Sequence, residues 1–279
     1  MPGKFLAIDS ELTLHYEQAG YGDITVVMLP GWTMSTEVFE HQLKYFNRST
    51  KYRFITVDPR AHGLSSKTEG GHFYEQHGRD LNVFIDKLDL NNIVLCGWSF
   101  GTLAALSYIN QFGSDRLLGF VMLDGPPRTT GMDNKQDWVT YTYADSDGLK
   151  EFFTLERLRN KRKFNVEFAN WMLEFRTKEN IEWIVNITNQ VPDNSAALLN
   201  ATSDFLDYRK DLIDLSPKLP LIYIVRKERG EIVSNWAEEN TPAARVVSFG
   251  EHMMFWERPN EFNSVFIDYL ENCRLGADF

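Results

Sequence analysis

A serine between two glycines is the first feature of this sequence that could carry out chemistry: residues 97–101 read Gly-Trp-Ser-Phe-Gly. An apolar run precedes these residues, and the good helix formers "TLAALSYI" follow them. A Gly-x-Ser-x-Gly turn between a strand and a helix strains the serine backbone and projects its hydroxyl above the sheet. The flanking glycines let neighbouring backbone pass without a Cβ clash. The pattern predicts that Ser99 is a nucleophile and that the Phe100 backbone N–H, at the helix start, stabilises an oxyanion.

The segments around this turn predict the sheet that would hold it. Short β-branched or apolar runs alternate with helix-like stretches, and the runs lie at residues 24–31, 52–60, 92–99, 118–125, 219–227 and 244–252. Continuous apolar strands alternating with helices predict a parallel sheet with both faces covered. The two opening segments, "FLAIDS" and "LTLHYEQAG", are shorter and more alternating, which favours an antiparallel pair at the sheet edge.

The strand pattern is interrupted in the middle of the chain by a segment rich in aromatic and charged residues with helical spacing. An all-helical insertion between two halves of an α/β core predicts a cap over the C-terminal ends of the strands, where such sheets bind ligands. We therefore expect a core of residues 1–127 and 217–279 with a helical cap of residues 128–216, in a single structural domain with a lid. A minority of the aromatic side chains should line an apolar slot above Ser99, and charged runs such as "ERLRNKRK" are interpreted as solvated helix faces.

Bulk composition narrows the class of protein. The chain has 279 residues, and 39 acidic against 29 basic side chains give a formal net charge of −10, which disfavours nucleic acid and anionic membranes as partners. The N-terminus lacks the apolar region of a secretion signal, and no apolar run reaches the roughly 20 residues that span a bilayer. Two cysteines, Cys96 and Cys273, suggest neither a disulfide framework nor a metal cluster. We expect a cytoplasmic monomer or homodimer that acts on a small molecule.

Three further segments accompany the Gly-x-Ser-x-Gly turn: "LPGW" at 29–32, "VDPRAHGLSS" at 57–66 and "GEHMMFWERPNEFNSVFIDYL" at 250–270. With these four matches in order, the chain resembles the α/β-hydrolase superfamily over essentially its whole length, and its small esterases and non-haem haloperoxidase-like hydrolases in particular. The chain departs from the family pattern at Pro30, where a histidine often stands, and at Ala61, which replaces a glycine. The resemblance implies an α/β-hydrolase fold, a mostly parallel eight-stranded sheet flanked by helices, with a helical cap inserted after the sixth strand.

The resemblance also implies roles for residues of these segments. "LPGW" is similar to the family's oxyanion turn, which makes the Trp32 backbone N–H the second oxyanion donor. His252, in a turn after the last strand, would be the general base that takes the Ser99 proton, because the pKa of an imidazole lies near working pH. His62 is interpreted as structural. The candidates for the substrate pocket are Trp32, Trp98, Trp138 and Met253.

The acid that orients the histidine is harder to place. Most of the superfamily carries an aspartate after the seventh strand, in a Gly-x-x-Asp sequence followed by an apolar pair. The corresponding loop here reads "VRKERGEIV", and aligning the pair on Ile232 and Val233 puts Gly230 where the aspartate should be. Glu228 and Glu231 are close to that place but out of register, so they are the alternative acids.

Asp124 is the preferred acid because it follows the apolar run before the cap, in "FVMLDGPPR". An aspartate at the C-terminal end of a parallel strand lies near the catalytic edge of the sheet. Some members of the superfamily, including certain lipases and the cofactor-free quinolone dioxygenases, carry their acid after this sixth strand. The order Ser99, Asp124, His252 keeps the family's sequence of serine, acid and histidine. An aspartate that only braces the turn into the cap is the alternative interpretation.

These residues favour a serine hydrolase that cleaves a small to medium, uncharged, apolar carboxylic ester through an acyl-enzyme, with no metal or organic cofactor. Amides, lactones and thioesters would use the same groups. One alternative is a cofactor-free 2,4-dioxygenase of 3-hydroxy-4-quinolones, which "LPGW" and the sixth-strand acid also resemble. That group tends to have a histidine where this chain has Phe100. Another alternative is a non-catalytic ligand receptor on the same fold.

Overall fold

All six apolar runs form strands of one eight-stranded sheet. The computed structural model describes residues 3–132, 138–143 and 152–275. The strands are β1 (Lys4–Ala7), β2 (Thr13–Gly20), β3 (Ile24–Leu29), β4 (Tyr52–Val57), β5 (Ile93–Trp98), β6 (Leu117–Leu123), β7 (Arg128–Gly131), β8 (Val139–Thr142), β9 (Leu221–Val225) and β10 (Arg245–Ser248). Their order across the sheet is β1-β2-β4-β3-β5-β6-β9-β10, and β7 and β8 pair separately.

The sheet is parallel except at one edge. β1 pairs antiparallel with β2, as predicted for the two opening segments, and β2 pairs antiparallel with β4. All neighbours from β4 to β10 are parallel. β3, β5 and β9 are buried at every position, which explains why they read as continuous apolar runs. The residues that follow β3, β5, β6 and β9 therefore meet at one edge of the sheet.

Helices flank this sheet and fill the segment between β6 and β9. They are α1 (Glu40–Phe46), α2 (Tyr74–Lys87), α3 (Gly101–Phe112), α4 (Lys161–Met172), α5 (Lys178–Asn189), α6 (Asp193–Ser203), α7 (Arg209–Leu215), α8 (Gly230–Asn240), α9 (Met254–Glu257) and α10 (Pro259–Leu275). α2 shows how the sequence specifies them, because Tyr74, His77, Leu81 and Phe84 are buried at intervals of three or four residues. In the described ranges, no helix combines the length and the apolar character needed to cross a membrane.

The segment between β6 and β9 contains α4 to α7, in agreement with its helical spacing. It also contains β7 and β8, which pair in parallel, so the expectation of an all-helical insertion is wrong. Each of these strands has four residues, too few for an apolar period to stand out in the sequence. The division into a core of residues 1–127 and 217–279 and a cap of residues 128–216 stays a prediction.

Candidate active site

Ser99 lies in a strained turn between β5 and α3. Its φ angle is 52°, in the left-handed region that non-glycine residues rarely occupy. Two backbone hydrogen bonds hold the turn: the Ser99 N–H donates to the Leu123 carbonyl of β6 at 2.8 Å, and the Ser99 carbonyl accepts from the Thr102 N–H at 3.0 Å. Pairing with the neighbouring strand therefore fixes the strained serine at the sheet edge.

Two glycines allow this turn to be tight. A Cβ atom on Gly97 would lie 2.4 Å from the Thr102 Cα, and one on Gly101 would lie 2.6 Å from the Leu29 carbonyl oxygen. Both distances are too short for non-bonded atoms, so neither position accepts a side chain. The glycines that flank Ser99 in the sequence are thus required by the packing of α3 against the ends of β3 and β5.

Asp124 is the carboxylate that reaches His252. It follows β6 with a φ of 44°, and its Oδ2 lies 2.5 Å from His252 Nδ1. Both side chains are buried. Glu228 and Glu231 are exposed, the first bonded to Nε of Arg226 and the second in the first turn of α8. Of these three acids, all within the described chain, the structure brings Asp124 alone to the histidine.

Arg226 is a member of this site that the sequence motifs do not identify. Its backbone N–H donates to Asp124 Oδ1 at 3.0 Å, and its Nη1 donates to Oδ2 at 2.8 Å. The guanidinium lies 5.4 Å from the centroid of the Trp171 ring, which is itself 4.6 Å from the His252 ring. The one signal available in the sequence is that Arg226 directly follows β9, the strand that pairs with β6.

The charges at this site set the protonation states of Asp124 and His252. Burial by itself would raise the pKa of Asp124, but the Arg226 guanidinium and the hydrogen bond to His252 hold that pKa well below its ordinary value. Burial lowers the pKa of His252, and the Asp124 carboxylate offsets only part of this effect. The carboxylate is therefore ionised and the imidazole neutral near pH 7. Because a carboxylate only accepts, Nδ1 carries the ring proton and Nε2 keeps its lone pair.

A cavity of about 350 Å³ opens onto these residues. Its described lining is mostly aromatic and polar: Trp32, Ser99, Phe100, Asp124, Pro126, Trp138, Val139, Thr140, Tyr141, Phe153, Glu167, Phe168, Trp171, Asn200, Arg226, Arg229 and His252. Ser99 and the Asp124–His252 pair thus face one space. Among the described residues, no three His, Cys, Asp or Glu side chains are grouped so as to hold a metal ion.

Two of the four pocket candidates lie elsewhere. Trp32 and Trp138 line the cavity, whereas Trp98 and Met253 are absent from its described lining and are fully buried. The Trp98 Nε1 donates to the His252 carbonyl at 3.0 Å, so this indole holds the histidine turn from the core side. The expectation that Trp98 and Met253 contact substrate is therefore corrected: both side chains pack into the core beneath the site.

The two predicted oxyanion donors, Trp32 and Phe100, both line the cavity with Ser99. Within the described part of the chain, neither backbone N–H donates a hydrogen bond to a protein acceptor. His62 supports the turn after Trp32, because its Nε2 accepts from the Thr33 N–H at 3.2 Å. Burial lowers the pKa of His62 to about 4, which keeps the ring neutral and able to accept.

The far side of Trp32 is held by a buried arginine. The Trp32 Nε1 donates to the Ala196 carbonyl at 2.8 Å, and the Arg157 guanidinium lies 5.8 Å from the indole ring. Arg157 is 1% exposed, and its Nη atoms donate to Asn165 Oδ1 at 2.7 Å and to the Thr188 carbonyl at 3.0 Å. The interpretation of "ERLRNKRK" as a solvated helix face is therefore wrong at Arg157, because α4, α5 and the Trp32 ring surround its guanidinium.

Comparison with known proteins places the chain in a family. Residues 24–211 match the family described as alpha/beta hydrolase fold. The AB hydrolase superfamily protein YisY of Bacillus subtilis is 25% identical over 96% of this chain and 98% of its own length. A bromoperoxidase structure from Bacillus anthracis is similar with a TM-score of 0.85 at 22% identity, covering 97% of this chain and 100% of its own. The esterase EaEST of Exiguobacterium antarcticum has a TM-score of 0.78 at 23% identity, with coverage of 97% and 100%. The chain therefore belongs to the α/β-hydrolase fold family.

Proposed function

We propose that this protein is a serine hydrolase that cleaves a small to medium, apolar carboxylic ester, or the related lactone, thioester or amide, through an acyl-enzyme formed on Ser99. The observation that carries the proposal is the hydrogen bond between Asp124 and His252 at the wall of the cavity that Ser99 also lines. A strained serine, a neutral buried imidazole and an ionised carboxylate are the groups that nucleophilic acyl transfer requires.

In the first half-reaction, the Ser99 hydroxyl attacks the substrate carbonyl carbon while His252 Nε2 accepts the hydroxyl proton. The Asp124 carboxylate, bonded to Nδ1, stabilises the imidazolium that forms. The tetrahedral intermediate then breaks its bond to the alcohol, thiol or amine. The leaving group takes the proton from His252, and Ser99 is left acylated.

In the second half-reaction, water attacks the acyl carbonyl and His252 again accepts the proton. Collapse of the second tetrahedral intermediate releases the acid and returns the proton to Ser99. In both halves the backbone N–H groups of Trp32 and Phe100 would stabilise the negative charge on the former carbonyl oxygen. A donor of this kind is worth about 10²- to 10³-fold in kcat.

The size and lining of the cavity support a compact apolar substrate. Its volume of about 350 Å³ is at the small end of the range of about 300 to 1,000 Å³ that ligand pockets occupy. Its walls include the rings of Trp32, Trp138, Phe153 and Phe168. Short aliphatic or aromatic acyl groups therefore fit this site better than long chains.

A panel of p-nitrophenyl esters with increasing acyl length tests this function. We expect turnover to peak at short chains and to fall by several orders of magnitude in Ser99→Ala. Ser264→Ala is the matched control, since it removes an exposed hydroxyl from α10. A fluorophosphonate probe should label the native chain and Ser264→Ala but leave Ser99→Ala unlabelled.

The same variants distinguish the two alternatives. Oxygen uptake with a 3-hydroxy-4-quinolone that is undiminished in Ser99→Ala would overturn the proposal in favour of the dioxygenase. Absence of both ester turnover and Ser99 labelling, in a chain that still binds a ligand, would overturn it in favour of the receptor.

A further inference from the structure

The cavity contains two arginines, and the proposed ester cleavage does not use one of them. Arg226 and Arg229 both follow β9, and both line the cavity. The Arg226 guanidinium already has two anionic partners: its Nη1 donates to Asp124 Oδ2 at 2.8 Å, and its Nε donates to Glu228 Oε1 at 2.5 Å. Arg229 is the second cation of the cavity.

The guanidinium of Arg229 has N–H groups that are not hydrogen-bonded to any described residue. Within the described chain its guanidinium takes part in no salt bridge and no side-chain hydrogen bond, although the side chain is partly buried. Burial and the neighbouring Arg226 lower the pKa of Arg229, and the attraction of Asp124 and Glu228 only partly opposes them. A guanidinium that is partly desolvated and lacks a bonded partner is stabilised when an anion binds to it.

The acidic groups near this region already have cationic partners. Asp124 is bonded to His252 and Arg226, and Glu228 is bonded to Arg226. Glu167, the other carboxylate on the described lining, forms an ion pair with Lys163 at 3.8 Å. Among the described residues, the protein thus provides a carboxylate for Arg226 and none bonded to Arg229.

We propose that Arg229 binds a carboxylate of the substrate, so that the preferred substrates carry an anionic group in addition to the bond that is cleaved. The planar guanidinium suits a carboxylate because two N–H groups can pair with its two oxygens. The aromatic wall would hold the apolar spacer between the carboxylate and the scissile carbonyl. This proposal rests on the proposed function, and it replaces the uncharged substrate expected from the sequence with a monoanionic one.

Two matched pairs of esters test the proposal and locate the carboxylate. Monomethyl glutarate and methyl pentanoate differ in whether the acyl chain ends in a carboxylate or a methyl group. The anion 4-acetoxybutanoate and butyl acetate differ in the same way on the alcohol side. Acid release in a pH-stat gives kcat/KM for each ester, and the native protein should prefer the anionic member of at least one pair.

Arg229→Gln should reduce this preference, measured as the ratio of kcat/KM for the anionic and neutral esters, by about tenfold or more, as expected for the loss of a charge-assisted hydrogen bond. Lys227→Gln is the matched control, because it removes an exposed cation from the same loop. Lys227 does not belong to the described cavity lining. Its ratio should equal that of the native protein.

The outcomes separate this proposal from the proposed function. Hydrolysis of the neutral esters with no Arg229-dependent preference in either pair would overturn the carboxylate site and leave the ester hydrolase standing. A second measurement does not need turnover: glutarate should raise the melting temperature of the native protein more than neutral glutaramide does, and Arg229→Gln should abolish the difference. That result without any ester cleavage would overturn the proposed function while supporting the anion site.

Discussion

Two neighbouring strands end at the same edge of the sheet with opposite charges. β6 is followed by Asp124, and β9 is followed by Arg226. The strands pair with Leu123 beside Ile224, and the Asp124 N–H donates to the Ile224 carbonyl at 2.8 Å. The Arg226 N–H in turn donates to Asp124 Oδ1 at 3.0 Å. Strand pairing therefore sets the anion and the cation against each other.

The position of the acid is therefore tied to the edge of the sheet rather than to one particular strand. The family resemblance places an acid in the segment after β9, but this chain has Gly230 at the aligned position and Arg226 directly after the strand. Since β6 lies between β5 and β9, its end is one strand nearer to Ser99, and Asp124 still reaches His252. The β9 position then supplies a counterion that keeps the acid ionised. What matters for the site is which groups meet at the edge.

Among the substitutions at the ends of β6 and β9, Asp124→Asn should have the largest effect on activity. The amide keeps the size of the carboxylate, but it cannot stabilise the imidazolium with a full negative charge, and it favours the wrong tautomer of His252. We expect kcat for ester hydrolysis to fall about 10⁴-fold. Steady-state kinetics with a short p-nitrophenyl ester measure this loss.

Glu228→Gln and Glu231→Gln are the matched controls, since each removes one carboxylate from the segment after β9. Both side chains are exposed, and neither bonds His252 in the structure. The kcat of both variants should stay close to that of the native protein. A loss of kcat in either variant that equals the loss in Asp124→Asn would mean that the catalytic acid lies in the segment after β9.

Most of the sheet could be predicted because burial on both faces leaves a continuous apolar run in the sequence. Each of the six runs corresponds to one strand, and the differences lie at the strand ends. β7 and β8 could not be predicted in this way. They are four residues long, and they pair with each other and, through an isolated bridge, with Asp207, so their existence depends on how the segment between β6 and β9 folds back.

Local motifs identified the residues that the structure brings to one cavity, because a strand end and a tight turn are local features. Ser99, Asp124 and His252 each directly follow or flank such a feature. Sequence adjacency was misleading for the pocket. Trp98 and Met253 adjoin Ser99 and His252 in the chain, but successive side chains point in different directions, and these two enter the core.

Arginines with little solvent exposure are the residues of the site that could not be predicted from the sequence. Arg157 and Arg226 both stand in strongly charged segments, where a solvated side chain is the ordinary expectation. Their burial depends on partners that are distant in sequence, such as Asp124 for Arg226. No local pattern reports such a pairing.

Arg226→Gln removes the cation from the β9 end and should have a moderate effect. Burial lowers the pKa of His252, so the acid limb of kcat/KM in the native protein should lie below the ordinary histidine value of about 6.5. The Arg226 charge adds to this lowering of the pKa, so its removal should move the acid limb to higher pH. We also expect kcat to fall about tenfold, because Asp124 loses a charge-assisted hydrogen bond.

A full pH profile of kcat/KM checks this prediction, with Lys227→Gln as the control for loss of one charge from the same loop. The control should keep the native acid limb. A fall in kcat for Arg226→Gln with an unchanged acid limb would mean that Arg226 only braces the loop. It would contradict the proposed electrostatic effect of Arg226 on the pKa of His252.

The smallest expected effect is on the pH dependence of stability. The pKa of Asp124 is lowered in the folded protein because, although burial opposes ionisation, Arg226 and His252 favour it more. In the unfolded chain the same carboxyl has a pKa of about 3.9. As the pH falls through that value, the unfolded chain binds a proton that the folded protein does not yet bind. The stability contributed by this group is therefore complete above that pH and is lost as the pH drops toward the folded-state pKa.

Asp124→Asn cannot titrate, so it isolates this contribution. Urea denaturation of both proteins at a series of pH values gives the free energy of unfolding of the native protein minus that of the variant. This difference should be constant near neutral pH and should fall on acidification below about pH 5. Other carboxylates titrate in both proteins and cancel. His252 does not cancel: because the Asp124 carboxylate raises its pKa, its titration increases the difference as the pH falls below about 6.5, and this rise is fitted separately from the loss due to Asp124. A difference in the free energy of unfolding that stays constant in acid would mean that Arg226 and His252 do not stabilise the ionised form of Asp124. The opposite charges at the ends of β6 and β9 would then lie next to each other without contributing to stability.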